Sequence, residues 1–105
     1  MSAIQKGVVR IEAIVREYDV WLDQSFPMAK MKVKILDRGN NDYLAVTNLR
    51  IRDNSGYADG EAGMGNTPEE AFSDLLRRFM STAEERKPST GFEESHFEWS
   101  APEDF

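Results

Sequence analysis

The sequence predicts an α+β fold in which an antiparallel sheet of three or four strands carries one main helix on one face, in the order β-β-β-α. Three observations support this prediction. Alternating apolar and polar segments precede residue 53, a turn-rich segment joins two of them, and a capped amphipathic helix follows. With 105 residues, the chain is expected to form one domain over residues 1–88 and an acidic aromatic C-terminal tail over residues 89–105.

The first predicted strand covers residues 8–16. One of its faces carries Val9, Ile11, Ala13 and Val15. A period of two with β-branched residues is typical of a half-buried strand. The next segment, residues 17–29, has no clean period and contains Pro27, so a loop is predicted, with an extension of the strand to Leu22 left open. Its aromatic residues are expected to close one end of the core, and an exposed contact surface is the alternative.

Residues 30–36 and 43–51 are predicted to pair as a hairpin. In the first strand Met31, Val33 and Ile35 point inward, and Lys30, Lys32 and Lys34 point outward. The connecting residues 37–42 are mostly types that favour turns. In the second strand Tyr43, Ala45, Thr47, Leu49 and Ile51 share one face. Which face is inward stays open near Leu44, where a bulge would exchange the two.

Residues 53–66 hold four glycines and are predicted to form a loop, with a short strand near Tyr57 as the alternative. A helix over residues 68–86 follows. Thr67 is its predicted N-cap, Pro68 occupies the first helical position, and Glu70 completes a Thr-x-x-Glu capping box. An apolar stripe is expected along one side: Ala71, Phe72, Leu75, Leu76, Phe79, Met80 and Ala83.

The predicted core joins the inward positions of the strands to the helix. It comprises Val9, Ile11, Val15, Met31, Val33, Ile35, Phe72, Leu75, Leu76 and Phe79.

Composition excludes several classes of protein. The chain contains no cysteine and one histidine, so disulfides, thiolate catalysis and cysteine-ligated zinc are ruled out. No uncharged apolar segment approaches the length of a membrane span, and residues 1–6 lack the pattern of a signal peptide. A cytoplasmic location without membrane contact is therefore expected.

Charge is unevenly distributed along the chain. Residues 1–52 contain nine Lys and Arg against six Asp and Glu, whereas residues 53–105 contain four against thirteen, and the net charge is -6. The outward Lys30, Lys32 and Lys34 are candidates for a partner-binding or RNA-binding face, which Arg10, Arg16, Arg50 and Arg52 would extend. An ordinary solvated sheet face is the alternative, and the overall acidity argues against nonspecific nucleic-acid binding.

The tail has five acidic residues, no Lys or Arg, and four aromatic residues: Phe92, Phe97, Trp99 and Phe105. These aromatics are the second set of candidate partner-binding residues. We expect the tail to be ordered through Phe97 and Trp99, with its carboxylates near the lysines. Docking in cis, docking in trans to form a homodimer, and binding to another protein all remain open.

Catalytic, metal and cofactor sites are not predicted. Glu93, Glu94, His96 and Glu98 do not match the spacing of a metal motif. The glycine-rich segment before the helix lacks a Gly-Lys-Ser/Thr sequence, and its acidic neighbours would repel a phosphate. The single histidine lies in the tail and supports no catalytic triad.

The segment Gly65-Asn66-Thr67-Pro68-Glu69-Glu70-Ala71 resembles the helix start of the HicB-like antitoxin family, Gly-x-Thr-x-x-Glu-Ala. The order of strands and helix over residues 7–86 is similar as well. This resemblance implies a partly ribonuclease-H-like β-β-β-α domain that binds and masks a small toxin. It implies no catalytic residues.

These observations favour a small, non-enzymatic protein-binding module, a regulatory or inhibitory antitoxin-like protein of a bacterium, phage or mobile element. The alternative is a nucleic-acid-binding protein that uses the basic sheet face, or an acidic nucleic-acid mimic that inhibits a phage-defence nuclease. An enzyme with an unrecognised carboxylate site is the third class.

Overall fold

The computed structural model describes residues 5–105 and confirms an α+β fold with antiparallel sheets and one main helix. The strands are β1 (Ala13–Trp21), β2 (Lys30–Asp37), β3 (Tyr43–Thr47), β4 (Leu49–Arg52), β5 (Ala58–Asp59), β6 (Ala62–Gly65) and β7 (Phe97–Trp99), and the helix is α1 (Pro68–Arg86). Short 3₁₀ turns lie at Glu94–His96 and Pro102–Asp104. Within residues 5–105, no helix has the length and apolar character needed to cross a membrane.

The strands form two antiparallel sheets. The larger sheet has the order β1-β2-β3-β6, and the smaller has the order β5-β4-β7. The predicted strand over residues 43–51 is therefore divided in two, at Asn48. This residue bridges neighbouring segments: its N–H donates to the Lys32 carbonyl (3.1 Å), its Oδ1 accepts from the Lys32 N–H (2.9 Å), and its carbonyl accepts from the Ser100 N–H (2.8 Å). The predicted inward face survives the division, because Ala45, Thr47, Leu49 and Ile51 are all buried.

Helix α1 has the predicted bounds and packs on one face of the larger sheet. The Thr67 Oγ1 accepts from the Glu70 N–H at 3.1 Å, as a cap should. The Glu70 carboxylate accepts from the Asn66 N–H (2.9 Å), one residue before the position expected for a capping box. Ala71, Leu75, Phe79 and Ala83 are the buried helix residues. Of the predicted stripe, Phe72 and Leu76 lie at its edge, partly buried, and Met80 is exposed.

The predicted first strand, residues 8–16, starts too early and has the wrong buried residues, whereas the extension to Leu22 that was left open agrees with the observed end at Trp21. Strand β1 begins at Ala13, and the predicted core residues Val9, Ile11 and Val15 are exposed. The register with β2 shifts between Ile14 and Arg16, and the side chains directed at the helix are Tyr18 and Val20, which lie in the extension of the strand that the sequence left open. Residues 8–12, which precede β1, are exposed and are called the arm below.

The end of the glycine-rich segment is also a strand, contrary to the prediction of a loop. Strand β6 pairs with β3 and lies against α1. A Cβ placed on Gly63 would lie 2.7 Å from the Leu75 Cα, and one on Gly65 would lie 2.6 Å from the Ala71 backbone nitrogen. Glycine is therefore required at both positions, because any side chain would collide with the helix backbone.

Asp74 of helix α1 links the helix to β6 and is the residue on which the first testable prediction is made. Its carboxylate accepts from the Met64 N–H (3.0 Å), from Arg78 (2.9 Å) and from Arg77. These contacts, the Met64 bond foremost, lower the pKa of Asp74 to about 2 from 3.8. Because the pKa in the folded protein lies below that of the unfolded chain, the contribution of these contacts to the free energy of unfolding is full above pH 4 and is lost towards pH 2.

Asp74→Asn should therefore reduce the decrease in the free energy of unfolding between pH 4 and pH 2, as measured by denaturant unfolding at several pH values. An unchanged slope would contradict this role.

Candidate binding site on the open sheet face

The open face of the larger sheet, which is the face turned away from α1, carries an apolar row. The cross-strand partners Ile14, Leu36, Leu44 and Met64 form it, one from each strand. Since directly opposed residues of antiparallel strands point to the same side, these four side chains are neighbours. Ile14 and Met64, at the two ends, are 54% and 57% exposed. The row thus crosses the whole sheet on a face that no helix covers in the described chain, but Leu36 is only 4% exposed and Leu44 is half-buried, so the exposed apolar surface lies mainly at the two ends.

A groove of about 310 Å³ lies beside this row. Its floor consists of Lys34, Leu36, Leu44 and Val46 from the sheet, and its walls include Arg10 and Glu12 of the arm, Arg50 of β4, and Asp104 and Phe105 of the tail. The arm, the sheet and the tail, far apart in sequence, therefore meet at one concave surface. Its volume is at the lower end of the range for ligand pockets, and the mixture of apolar floor and polar rim is that of a recognition site.

The cations of the groove differ in what they contact. The Lys34 ammonium lies over the Phe105 ring, 4.6 Å from its centroid. Arg10 pairs with Glu12 (3.6 Å), although its side chain is 75% exposed. Within residues 5–105, neither Lys34 nor Arg50 forms an ion pair. These two side chains are available to a carboxylate of a bound molecule.

The predicted basic face is not continuous. Lys30 and Lys32 point outward as expected, but both contact Asp19 of β1, at 3.6 and 3.1 Å. The hydrogen bond from Lys32 lowers the pKa of Asp19 and raises that of Lys32, so the pair stays ionised.

Two arginines of that predicted face, Arg16 and Arg52, are also paired with acids. Arg16 contacts Glu69 of the helix, and Arg52 contacts Glu98 of the tail at 3.1 Å. The expectation that Glu98 lies near the lysines is therefore wrong. Of the predicted basic set, only Arg10, Lys34 and Arg50 line the groove.

Two of the four candidate tail aromatics pack within this chain, Phe97 in the core and Phe92 against it. Phe97 is 6% exposed and lies 4.8 Å from Phe92 between ring centroids. Both rings pack against Phe26, which in turn stacks on Phe79 of the helix. Phe97 is therefore buried within this chain and does not offer its ring to a partner, whereas Phe92 is partly buried against it. The tail is ordered through Phe97 as expected, and the pairing of β7 with β4 corresponds to docking in cis, one of the three alternatives left open.

The other two tail aromatics remain accessible to a partner. Trp99 pairs through its backbone with Leu49, but its side chain is 48% exposed, so the expected docking of this side chain is wrong. Phe105 is partly buried at the wall of the groove. His96 has a local role, since its Nδ1 accepts from the Glu93 N–H at 2.8 Å. Residues 5–105 contain no cluster of three metal-ligating side chains.

The apolar row was missed by sequence reasoning, although a signal for it exists. Leu36, Leu44 and Val46 alternate with the inward residues of β2 and β3, so both faces of these strands are apolar at one end. Such strands are typical of sheets covered on both sides. Met64 gave no such signal, since its neighbours are glycines.

Comparison of the chain with protein-family models, with curated proteins and with solved structures found no match. The resemblance to HicB-like antitoxins stays a prediction from the helix start and the order of elements.

Proposed function

We propose that this protein is a non-enzymatic protein-binding module, of a regulatory or inhibitory, antitoxin-like kind, which holds its partner on the open face of the larger sheet. The observation that carries the proposal is the apolar row formed by Ile14, Leu36, Leu44 and Met64. A two-layer domain has one helix layer and leaves the second sheet face to solvent, where polar side chains are typical. The exposed apolar ends of this row, Ile14 and Met64, favour a surface that a partner covers.

The chemistry of the groove favours a particular kind of partner segment. Its floor offers apolar contacts, and Lys34 and Arg50 form no ion pair within residues 5–105. A protein segment with apolar side chains and one acidic residue satisfies both features. Apolar burial would supply most of the affinity, and the charges would orient the segment.

The nucleic-acid alternative receives less support from the geometry. Lys30 and Lys32 share Asp19, and Arg52 contacts Glu98, so the cations of that face are largely neutralised. Phosphate binding depends on Lys and Arg that are free to replace counterions.

The test compares two methionines of similar exposure. Met64→Ala alters the apolar row, whereas Met80→Ala alters the outer surface of α1 as the matched control. A partner is captured from the native host, identified and purified, and its affinity for each variant is measured by titration. We expect Met64→Ala to weaken binding about tenfold, because it removes the exposed apolar side chain at one end of the row, and Met80→Ala to leave it unchanged. Equal affinities for both variants, or recovery of RNA in place of a protein, would contradict the proposal.

A further inference from the structure

The arm and the start of β1 carry an unusual amount of exposed apolar surface. Among the described residues, ten large apolar side chains are exposed, and six of them fall between residues 8 and 21. Val9 is 96% exposed and Ile11 is 60% exposed. The two residues belong to neither the core nor the groove, and the proposed function leaves them unexplained. Such a concentration indicates that a partner covers this segment.

The sequence of this segment is complementary to itself when it is reversed about Ile11. In an antiparallel pair centred there, Arg10 faces Glu12 of a second copy, and Glu12 faces Arg10 of that copy. The positions outside these charges are apolar on both chains. Val9 faces Ala13, Val8 faces Ile14, and Ile11 faces its own equivalent. The pairing therefore places opposite charges and apolar side chains together at every position from 8 to 14.

We propose that two copies of this chain associate through antiparallel pairing of residues 8–14 about a two-fold axis at Ile11. This inference does not rest on the proposed function, because it is argued from the exposed Val9 and Ile11 and from the sequence of the arm, although Arg10 and Glu12 also line the groove and Ile14 also belongs to the apolar row. A closed two-fold arrangement is the commonest form of self-association, and it requires one patch to complement itself. The arm satisfies that requirement in both charge and apolar pattern.

The fold leaves room for the added strand. Strand β1 is an edge of the larger sheet: it pairs with β2 along one side, from Ala13 to Trp21, and no strand of residues 5–105 pairs with its other side. The arm continues the chain from the start of β1 and contains no proline. An arm from a second copy can thus pair with the free side of residues 8–14 while every β1–β2 hydrogen bond is retained. Strand addition of this kind satisfies the backbone groups of both arms.

Charge would select the register of the arms, and apolar burial would hold them together. In the single chain Arg10 and Glu12 already contact each other at 3.6 Å, both well exposed to solvent. Association would exchange this contact for two contacts between copies, a small net gain for exposed pairs. Val9 and Ile11 would become covered, and removal of apolar surface from water is the larger effect.

The first experiment uses the absence of cysteine from the chain. In Ile11→Cys the two new side chains would face each other directly, within reach of a disulfide. In Val9→Cys, the matched control, they would be offset by four residues, about 13 Å along the strands. Under mild oxidation we expect the Ile11→Cys dimer to accumulate at least about tenfold faster than that of Val9→Cys. Equal rates would overturn the proposed register.

The second experiment exchanges charges and measures mass by sedimentation equilibrium. Arg10→Glu and Glu12→Arg should each be monomeric, because like charges would then face each other twice. An equal mixture of the two variants should form a heterodimer, and the double variant R10E/E12R should recover the wild-type dimer. A wild-type chain that stays monomeric at the highest soluble concentration would overturn the proposal. So would self-association of either single variant with wild-type affinity.

Discussion

Gly63→Ala is expected to lower the free energy of unfolding by at least about 2 kcal/mol, since overpacking in a closed interior typically costs 1–3 kcal/mol and more where backbone has to move. The added methyl group would lie 2.5 Å from the Ala71 carbonyl oxygen and 2.7 Å from the Leu75 Cα. Both are backbone atoms of α1 and have no rotamer to change. Relief of this steric clash therefore requires the helix and β6 to move apart. Denaturant unfolding followed by circular dichroism measures the effect.

Gly60→Ala serves as the matched control for this substitution. A Cβ at Gly60 would meet only the flexible Arg50 side chain, at 3.7 Å, which is an ordinary contact. We expect its unfolding midpoint to stay close to that of the wild type. If Gly63→Ala were equally well tolerated, β6 would not be packed on the helix, and the position of Met64 in the apolar row would be wrong as well.

The glycine-rich segment shows which kind of structure a single sequence hides. Glycine weakens a strand, so four glycines within residues 53–66 predicted a loop. The close approach that demands glycine joins residue 63 to residues 71 and 75 of α1. Nothing in the local pattern reports a contact between separate elements. By contrast, the bounds of α1 were predicted well, because the signals of Thr67 and Pro68 lie within the helix itself.

The N-terminal strand shows the same distinction in another form. Alternation over residues 8–16 indicated an extended segment, but did not reveal which part would gain a neighbour. Pairing with β2 buries Tyr18 and Val20 and leaves Val9 and Ile11 in solvent. An apolar alternation predicts burial by some partner. On our proposal, the partner that covers the arm is a second copy of the chain. The apolar residues of the arm are therefore exposed in the single chain, although their sequence pattern predicts burial.

Only some features of the candidate site were predicted from the sequence. The outward direction of Lys30, Lys32 and Lys34 follows from alternation and is correct. Their partner Asp19 lies in a segment where the sequence favoured a loop and left a strand extension open, so the pairing of these lysines with an acid was not predicted. The aromatic tail was expected to bind a surface. Its main contacts are with its own chain, through Phe92 and Phe97 packed on Phe26 and through the pairing of β7 with β4.

The attachment of the tail depends on one buried aromatic cluster. Phe97 lies at the start of β7, opposite Ile51 of β4, and its ring packs with Phe26 and Phe92. Phe26 carries the contact on to Phe79, at 6.1 Å between ring centroids. The cluster thus joins the tail, the loop before β2 and the helix. Its loss would weaken three parts of the fold together.

Phe97→Ala is therefore expected to lower the free energy of unfolding by about 3–5 kcal/mol, the cost of deleting a buried phenylalanine side chain. Trp99→Ala is the control two residues away on the same strand, and its 48% exposed side chain should make its cost much smaller. Both are measured by denaturant unfolding.

Tryptophan fluorescence does not distinguish a docked tail from a free one, since Trp21 is 70% exposed and the Trp99 side chain is 48% exposed even when β7 is paired. Removal of residues 91–105 should destabilise the protein at least as much as Phe97→Ala. Equal stability of the truncated and full chains would show that β7 is not held on β4, and would leave Phe92 and Phe97 free to bind a partner.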